Sequence, residues 1–162
     1  MKKFLSLLLL VPALGFMSSC SDDKDLPDVD FNYTFENATD VDGTLYVVQG
    51  EDFEVASIQV VNKDSNKKAM ITEANYYWDY QYIGTSIEAP YSFKFVVTED
   101  TPLGTHLLEV ESPLYAEDKV PAFSVVAFKV QVVASADDIP TGGTTTTTTS
   151  PVIANHATHT TD

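Results

Sequence analysis

The densest run of side chains able to do chemistry in this 162-residue chain is Tyr76, Tyr77, Trp78, Asp79, Tyr80 and Tyr82, with Glu88 and Tyr91 close behind. Exposed Tyr and Trp faces stack on sugar rings, and nearby carboxylates such as Asp79 and Glu88 accept hydrogen bonds from sugar hydroxyls. Strand alternation divides the cluster. Tyr76 and Trp78 share one face with Ala74, so Trp78 is expected as a core anchor, and Tyr77, Tyr80 and Tyr82 remain as ligand contacts. The plainer alternative is that half of these rings fill a core and the others cover a sheet, since aromatics are common in strands.

The other candidates are weaker. Asp40-Val41-Asp42-Gly43 has the look of the start of a calcium loop, but Tyr46, Val48 and Glu51 do not supply the oxygens that an EF-hand needs at those spacings, so a tight turn is expected. His106 is the one His between Phe31 and Val133 and has no evident partner for a metal site or a triad. It is expected at the edge of the core with its ring nitrogens hydrogen-bonded. Carboxylate pairs for glycoside hydrolysis are numerous by count, yet nothing suggests the cleft that would hold a sugar between them. No catalytic residue, no metal site and no cofactor is expected, and the chain is read as a non-enzyme.

Charge narrows the partners. Twenty-four acidic residues against nine lysines give a formal net charge of −15. Removal of residues 1–19 would take Lys2 and Lys3 and leave 7 − 24 = −17. Such a chain is repelled by phosphates, so nucleic acid is not an expected partner. A single Cys permits no internal disulfide.

That Cys has another meaning. Met1-Lys2-Lys3 is a short positive region, and Phe4 to Phe16 is apolar except for Ser6, too short for the ~20 residues that span a bilayer. Ser18-Ser19 then lead into Cys20. These residues resemble a bacterial lipoprotein lipobox, which implies a signal peptide over 1–19 and acylation, including palmitate, at Cys20. Ser21-Asp22-Asp23-Lys24-Asp25 is similar to the acidic export signal of Bacteroides-type surface lipoproteins. The resemblance implies a protein of the outer membrane, held to the membrane through Cys20 and exposed at the cell surface. Residues 20–30 are read as a solvated acidic linker.

The elements that must position the aromatic cluster are strands. Short β-branched or aromatic runs recur between Phe31 and Val133, with turn signals at Asp42-Gly43, Gly50-Glu51-Asp52, Asn62 to Lys68 and Thr101 to Gly104. Phe31, Tyr33 and Phe35 alternate with polar residues. Val126, Phe128, Val130 and Val132 share a face, as do His106, Leu108 and Val110 opposite Leu107, Glu109 and Glu111. An all-β fold follows, an antiparallel β-sandwich of about seven to eight strands over residues 31–135.

Tyr76-Tyr77-Trp78-Asp79, Ile83-Gly84-Thr85-Ser86, Ala89-Pro90-Tyr91-Ser92-Phe93 and Gly104-Thr105-His106 together resemble the pattern of bacterial Ig-like domains. In that pattern an aromatic strand and tight hairpin lead to an Ala-Pro-Tyr corner and a Gly-Thr-His strand. The resemblance implies an Ig-like sandwich and no catalysis. It departs where the hairpin usually carries Asp-Gly and this chain has Asp79-Tyr80, which bears on the turn because Gly makes positive φ cheap.

Residues 136–162 are expected as a disordered, Thr-rich tail: ten of the 22 residues from Thr141 are Thr, and apolar surface is scarce. The functional expectation is a non-catalytic surface lipoprotein presenting an Ig-like binding or adhesion module for a glycan or a protein, through loops at one end or the sheet edge near Gln81 to Ser86. The alternative is a structural accessory subunit of an outer-membrane complex, of the polysaccharide-uptake kind.

Overall fold

A computed structural model describes residues 26–63 and 68–155. The expected signal peptide over residues 1–19, Cys20 and most of the expected acidic linker lie outside the described residues. Twelve strands are present among those described: β1 (Val29–Glu36), β2 (Thr39–Val41), β3 (Thr44–Val48), β4 (Phe53–Asn62), β5 (Ala69–Ile71), β6 (Ala74–Trp78), β7 (Gln81–Ser86), β8 (Phe93–Phe95), β9 (Gly104–Ala116), β10 (Ala122–Val133), β11 (Thr146–Thr149) and β12 (Val152–Asn155).

They form two sheets. One runs β11-β1-β4-β8, and the other runs β2-β3-β10-β9-β6-β7, with β12 added to β10 and β5 to β9. The chain passes from β4 in the first sheet to β6 and β7 in the second, back to β8, then again to β9 and β10. That exchange between facing sheets is the Greek-key connectivity of an Ig-like sandwich. All pairs are antiparallel except β3, which runs parallel to β10 with Leu45 beside Val130 and Val47 beside Val132.

Alternation accounts for the core. Val29, Phe31, Tyr33 and Phe35 of β1 face Leu108 and Val110 of β9 and Val126, Phe128, Val130 and Val132 of β10, and all are buried. The rings of Tyr33 and Phe35 meet Phe128 edge-on at 4.8 and 5.4 Å between centroids, the geometry their quadrupoles favour. In β4 the buried positions are Phe53, Val55 and Ile58 rather than a strict two-residue repeat. A bulge explains the slip: Thr34 pairs with Ser57 but Phe35 with Val55, so Ala56 is the extra residue that turns the strand's face over.

The C-terminal segment differs from the tail expected for it. Thr146–Thr149 pairs with Thr34 to Phe31 as an added edge strand, and Val152–Asn155 pairs with Ala122 to Val125. Backbone groups drive this pairing, and an edge strand needs little apolar surface. Thr hydroxyls add to it: Thr148 donates to Asn32 Oδ1 at 2.6 Å and Thr147 donates to Asp40 Oδ2. The sandwich has more strands than the seven to eight expected, because this segment contributes two, β2 is a further one, and the expected strand from Met70 to Trp78 divides into β5 and β6.

Asp40 to Gly43 forms the expected turn between β2 and β3, with Asp42 at φ 51° and Gly43 at φ 79°. Asp40 Oδ1 accepts from the Gly43 N–H at 2.8 Å, and its second oxygen is the one taken by Thr147, so both carboxylate oxygens serve the fold.

Candidate functional site

The β6–β7 hairpin places the aromatic cluster. Trp78 pairs with Gln81, which leaves Asp79 and Tyr80 as a two-residue loop with φ of 49° and 66°. Both residues are left-handed, as a type I′ turn requires. Asp adopts this conformation with modest strain, whereas a bulky residue does so at a cost of roughly 1–2 kcal/mol. The hairpin that usually carries Asp-Gly thus keeps its geometry with a Tyr in the Gly position.

Asp79 is held on β9. Its N–H donates to the Leu107 carbonyl at 2.9 Å, and its Oδ1 accepts from the Leu107 N–H at 2.9 Å. Its Oδ2 lies 2.7 Å from His106 Nδ1, and His106 Nε2 lies 2.8 Å from the Pro102 carbonyl. With an acceptor at each nitrogen, the ring is suited to carry both protons. Burial disfavours the His106 charge, but the hydrogen bonds to Asp79 and Pro102 and the charge of Asp79 outweigh it and raise the His106 pKa from its ordinary value. The same balance works on Asp79: burial would raise its pKa, yet the bonds from His106 and Leu107 hold it lower. Asp79 therefore clamps the hairpin to β9 with one bond at each carboxylate oxygen, while its side chain stays 47% exposed.

Trp78 is half-buried rather than a deep anchor. As the last residue of β6 it sits at the rim, with its ring 6.0 Å from Phe53, 6.2 Å from Phe95 and stacked at 5.1 Å on His106. The deep position belongs to Tyr76, fully buried and stacked on Phe93 at 4.6 Å. Its hydroxyl donates to the Tyr91 carbonyl, and the Tyr91 hydroxyl donates to the Ile71 carbonyl at 2.6 Å, which ties the Ala89-Pro90-Tyr91 corner to the sheet.

Among the three Tyr residues expected as contacts, Tyr80 is 81% exposed at the hairpin tip and Tyr82 is 59% exposed. Tyr77 is half-buried. The Tyr77 and Tyr82 rings meet edge-on, 5.7 Å apart with 66° between planes, so they do not form one flat platform. Glu88 stands beyond the far end of β7, about 20 Å from the tip by strand rise, and is not a neighbour of Tyr80.

Two glutamates that the sequence reading did not single out as contacts lie beside Tyr77. On the outer face of the larger sheet Glu109 pairs with Tyr77, and Glu111 pairs with Asn75. Burial, followed by the charge of and hydrogen bond to Glu111, raises the Tyr77 pKa; burial and the Glu111 charge raise that of Glu109. Thr85 completes the face, 2.7 Å from the Tyr82 hydroxyl and donating to Asn75 Oδ1. Alternation in β9 had put Glu109 and Glu111 on the solvent side, but only the strand register brings them beside Tyr77.

The opposite side of the hairpin is apolar. A cleft of about 320 Å³ lies between β7 and β8, lined by Trp78, Ile83, Phe93, Phe95, Val96 and Val97 together with Lys94 and Thr101. No group of three or more metal-ligating side chains occurs among the described residues.

No known protein family matches the chain, and no characterised protein matches its sequence. A structure of fibronectin(III)-like modules of CbhA from Clostridium thermocellum is similar to it, at 18% identity over 68% of this chain and with a TM-score of 0.41. The matched region is 52% of that structure, so the chain spans about half of it. The Ig-like sandwich assignment rests on the strand order and connectivity of the chain itself.

Proposed function

We propose that this chain is a non-catalytic, lipid-anchored outer-membrane protein that presents its Ig-like sandwich at the cell surface as a binding or adhesion module for a glycan or a protein. The anchor rests on the lipobox-like approach to Cys20 and on the acidic run after it. The binding role rests on one observation above all: Tyr80 occupies a left-handed turn position that Gly would fill without strain, and its ring is 81% exposed. Backbone strain at an exposed aromatic points to a contact made outside the fold. Tyr82, Tyr77, Glu109 and Glu111 extend that contact along the outer sheet face with rings and hydrogen-bond acceptors.

Glycan and host-protein arrays probed with the wild-type chain and with Tyr80→Ala and the Tyr77→Ala/Tyr80→Ala/Tyr82→Ala variant test the reading. Ligands bound by the wild type and lost by both variants are expected. Identical profiles, or no ligand for any of the three proteins, refute it. The accessory-subunit reading is favoured by a different observation, the open apolar flank between β7 and β8, and a stoichiometric partner in gently solubilised membranes would support it.

A further inference from the structure

The two flanks of the sandwich are finished differently. On one, the chain's own C-terminal segment is added, β11 along β1, β12 along the first residues of β10, and Thr144 bridged to Asp40 of edge strand β2. On the other, β7 and β8 end their sheets, and among the described residues no strand pairs with their outer edges. Edge strands deter pairing with charges, proline, bulges or short length, and three-residue β8 carries Lys94. Gln81–Ser86 has six residues with no charge and no proline, in a chain whose residues are 20% charged. Its single irregularity is a bulge: Tyr76 pairs with Gly84 and Tyr77 with Tyr82, so Ile83 is extra, and it lines the apolar cleft.

The cleft is built for side chains more than for a complete small ligand. At about 320 Å³ it lies at the bottom of the ~300–1,000 Å³ range of small-molecule sites. Its walls are aromatic and aliphatic, and the charge of Lys94 is already met by Asp52 at 2.8 Å. Val96, at 72% exposure, extends the apolar surface outward. A strand laid beside β7 turns every second side chain inward, over this cleft, while its backbone bonds to the free groups of β7.

Charge selects the occupant. Glu88 follows β7, and Asp100 adjoins Thr101 of the cleft wall, within a chain of net charge −15. A second copy would bring the same carboxylates against these. We propose that the β7–β8 flank receives an extended segment of a partner protein as an added strand, with apolar residues entering the cleft and Lys or Arg alternating between them. The cleft lies across β7 from the exposed tyrosines, so the apolar anchors do not depend on Tyr80.

A display library of short linear peptides, selected against the full chain, tests the proposal. Enriched peptides are expected to alternate apolar with basic residues, to slow hydrogen exchange at β7 amides, and to bind more weakly in high salt. They are expected to bind Ile83→Glu and Val96→Glu about tenfold or more weakly and Tyr80→Ala unchanged. Val96 is the second variant because its exposure leaves folding intact if Ile83→Glu disturbs the hairpin. Failure to enrich any peptide, enrichment without the alternation, or affinity indifferent to both Glu variants overturns the proposal. A concentration-dependent dimer abolished by either variant also overturns it and assigns the flank to a second copy. Loss of peptide binding in Tyr80→Ala would instead place the contact on the tyrosine face.

Discussion

Gly84 offers a sharp test of how the β6–β7–β8 corner is packed. It sits in β7 opposite Tyr76, and a Cβ built on it would lie 2.4 Å from Cε2 and 2.8 Å from Cζ of Phe93. Phe93 is held on two sides, stacked on Tyr76 at 4.6 Å and edge-on to Phe95 at 5.0 Å. It cannot yield to the new methyl without disturbing one of these contacts. Overpacking of this kind costs about 1–3 kcal/mol. Gly84 is not in the left-handed region, so replacing it by Ala also narrows the unfolded ensemble and returns about 0.4–1 kcal/mol. The steric term wins, and Gly84→Ala is expected to lose ~1–2 kcal/mol, or roughly 3–6 °C in Tm. Equilibrium urea melts followed by the fluorescence of Trp78, the one Trp in the chain, report directly on this rim. Trimming Phe93 to Leu should recover ~1 kcal/mol of the Gly84→Ala cost in a double-mutant cycle. A Gly84→Ala protein as stable as wild type, or an equal cost in both backgrounds, would refute the packing argument.

Three further outcomes follow from the same structure. The raised pKa of His106 means that its bond to Asp79 contributes fully below the ordinary His value of 6.5 and is lost as pH rises through the raised folded value, while the lowered pKa of Asp79 removes its share as pH falls below 3.8. Stability measured against pH should therefore decline on the alkaline side of 6.5, and His106→Gln should abolish that decline; an unchanged profile would show that the pair is not coupled to folding. Tyr80→Gly should stabilise the turn by about 0.5–1 kcal/mol in chemical denaturation while weakening ligand binding, and a loss of stability would mean that the Tyr80 ring packs within the fold. Deleting residues 141–162 should cost ~1–3 kcal/mol, since the hydrogen bonds made by Thr147, Thr148 and Ser150 outweigh by little the entropy of ordering their strand; an unchanged melt would return the segment to a solvated tail.

The sandwich was legible because its core strands alternate cleanly. Phe31 to Phe35 and Val126 to Val132 declare a buried face within a few residues, and the burial of Leu108 and Val110 follows from the same periodicity. The site was legible only in part, since periodicity assigns a side chain to a face but not to a neighbour. Tyr77 and Glu109 are 32 positions apart, and their contact depends on the register between β6 and β9. Nothing local to Asp79 reveals that His106 and the Leu107 N–H will each bond one of its oxygens and clamp the turn to β9. The rim placement of Trp78 has the same origin: its side of β6 is correct, but its depth is set by the turn that begins one residue later.

The C-terminal strands show where composition misleads and why that matters for the open flank. A Thr-rich run has too little apolar surface to found a core, which is the argument for disorder. An edge strand meets a different requirement, because its partner already exists. β1 presents a row of backbone donors and acceptors 116 residues earlier in the chain, and Thr is among the residues best suited to pair there. The chain thus adds strands to one flank from within itself, using a sequence whose side chains contribute hydroxyls more than apolar packing. The opposite flank has the reverse character: an apolar cleft behind an uncharged edge, with no strand of the described chain laid upon it. A polar strand suits the first flank because β1 is already backed by a filled core. The second flank, where Phe93, Phe95 and Ile83 line an unfilled cleft, calls for a strand that brings its own apolar side chains.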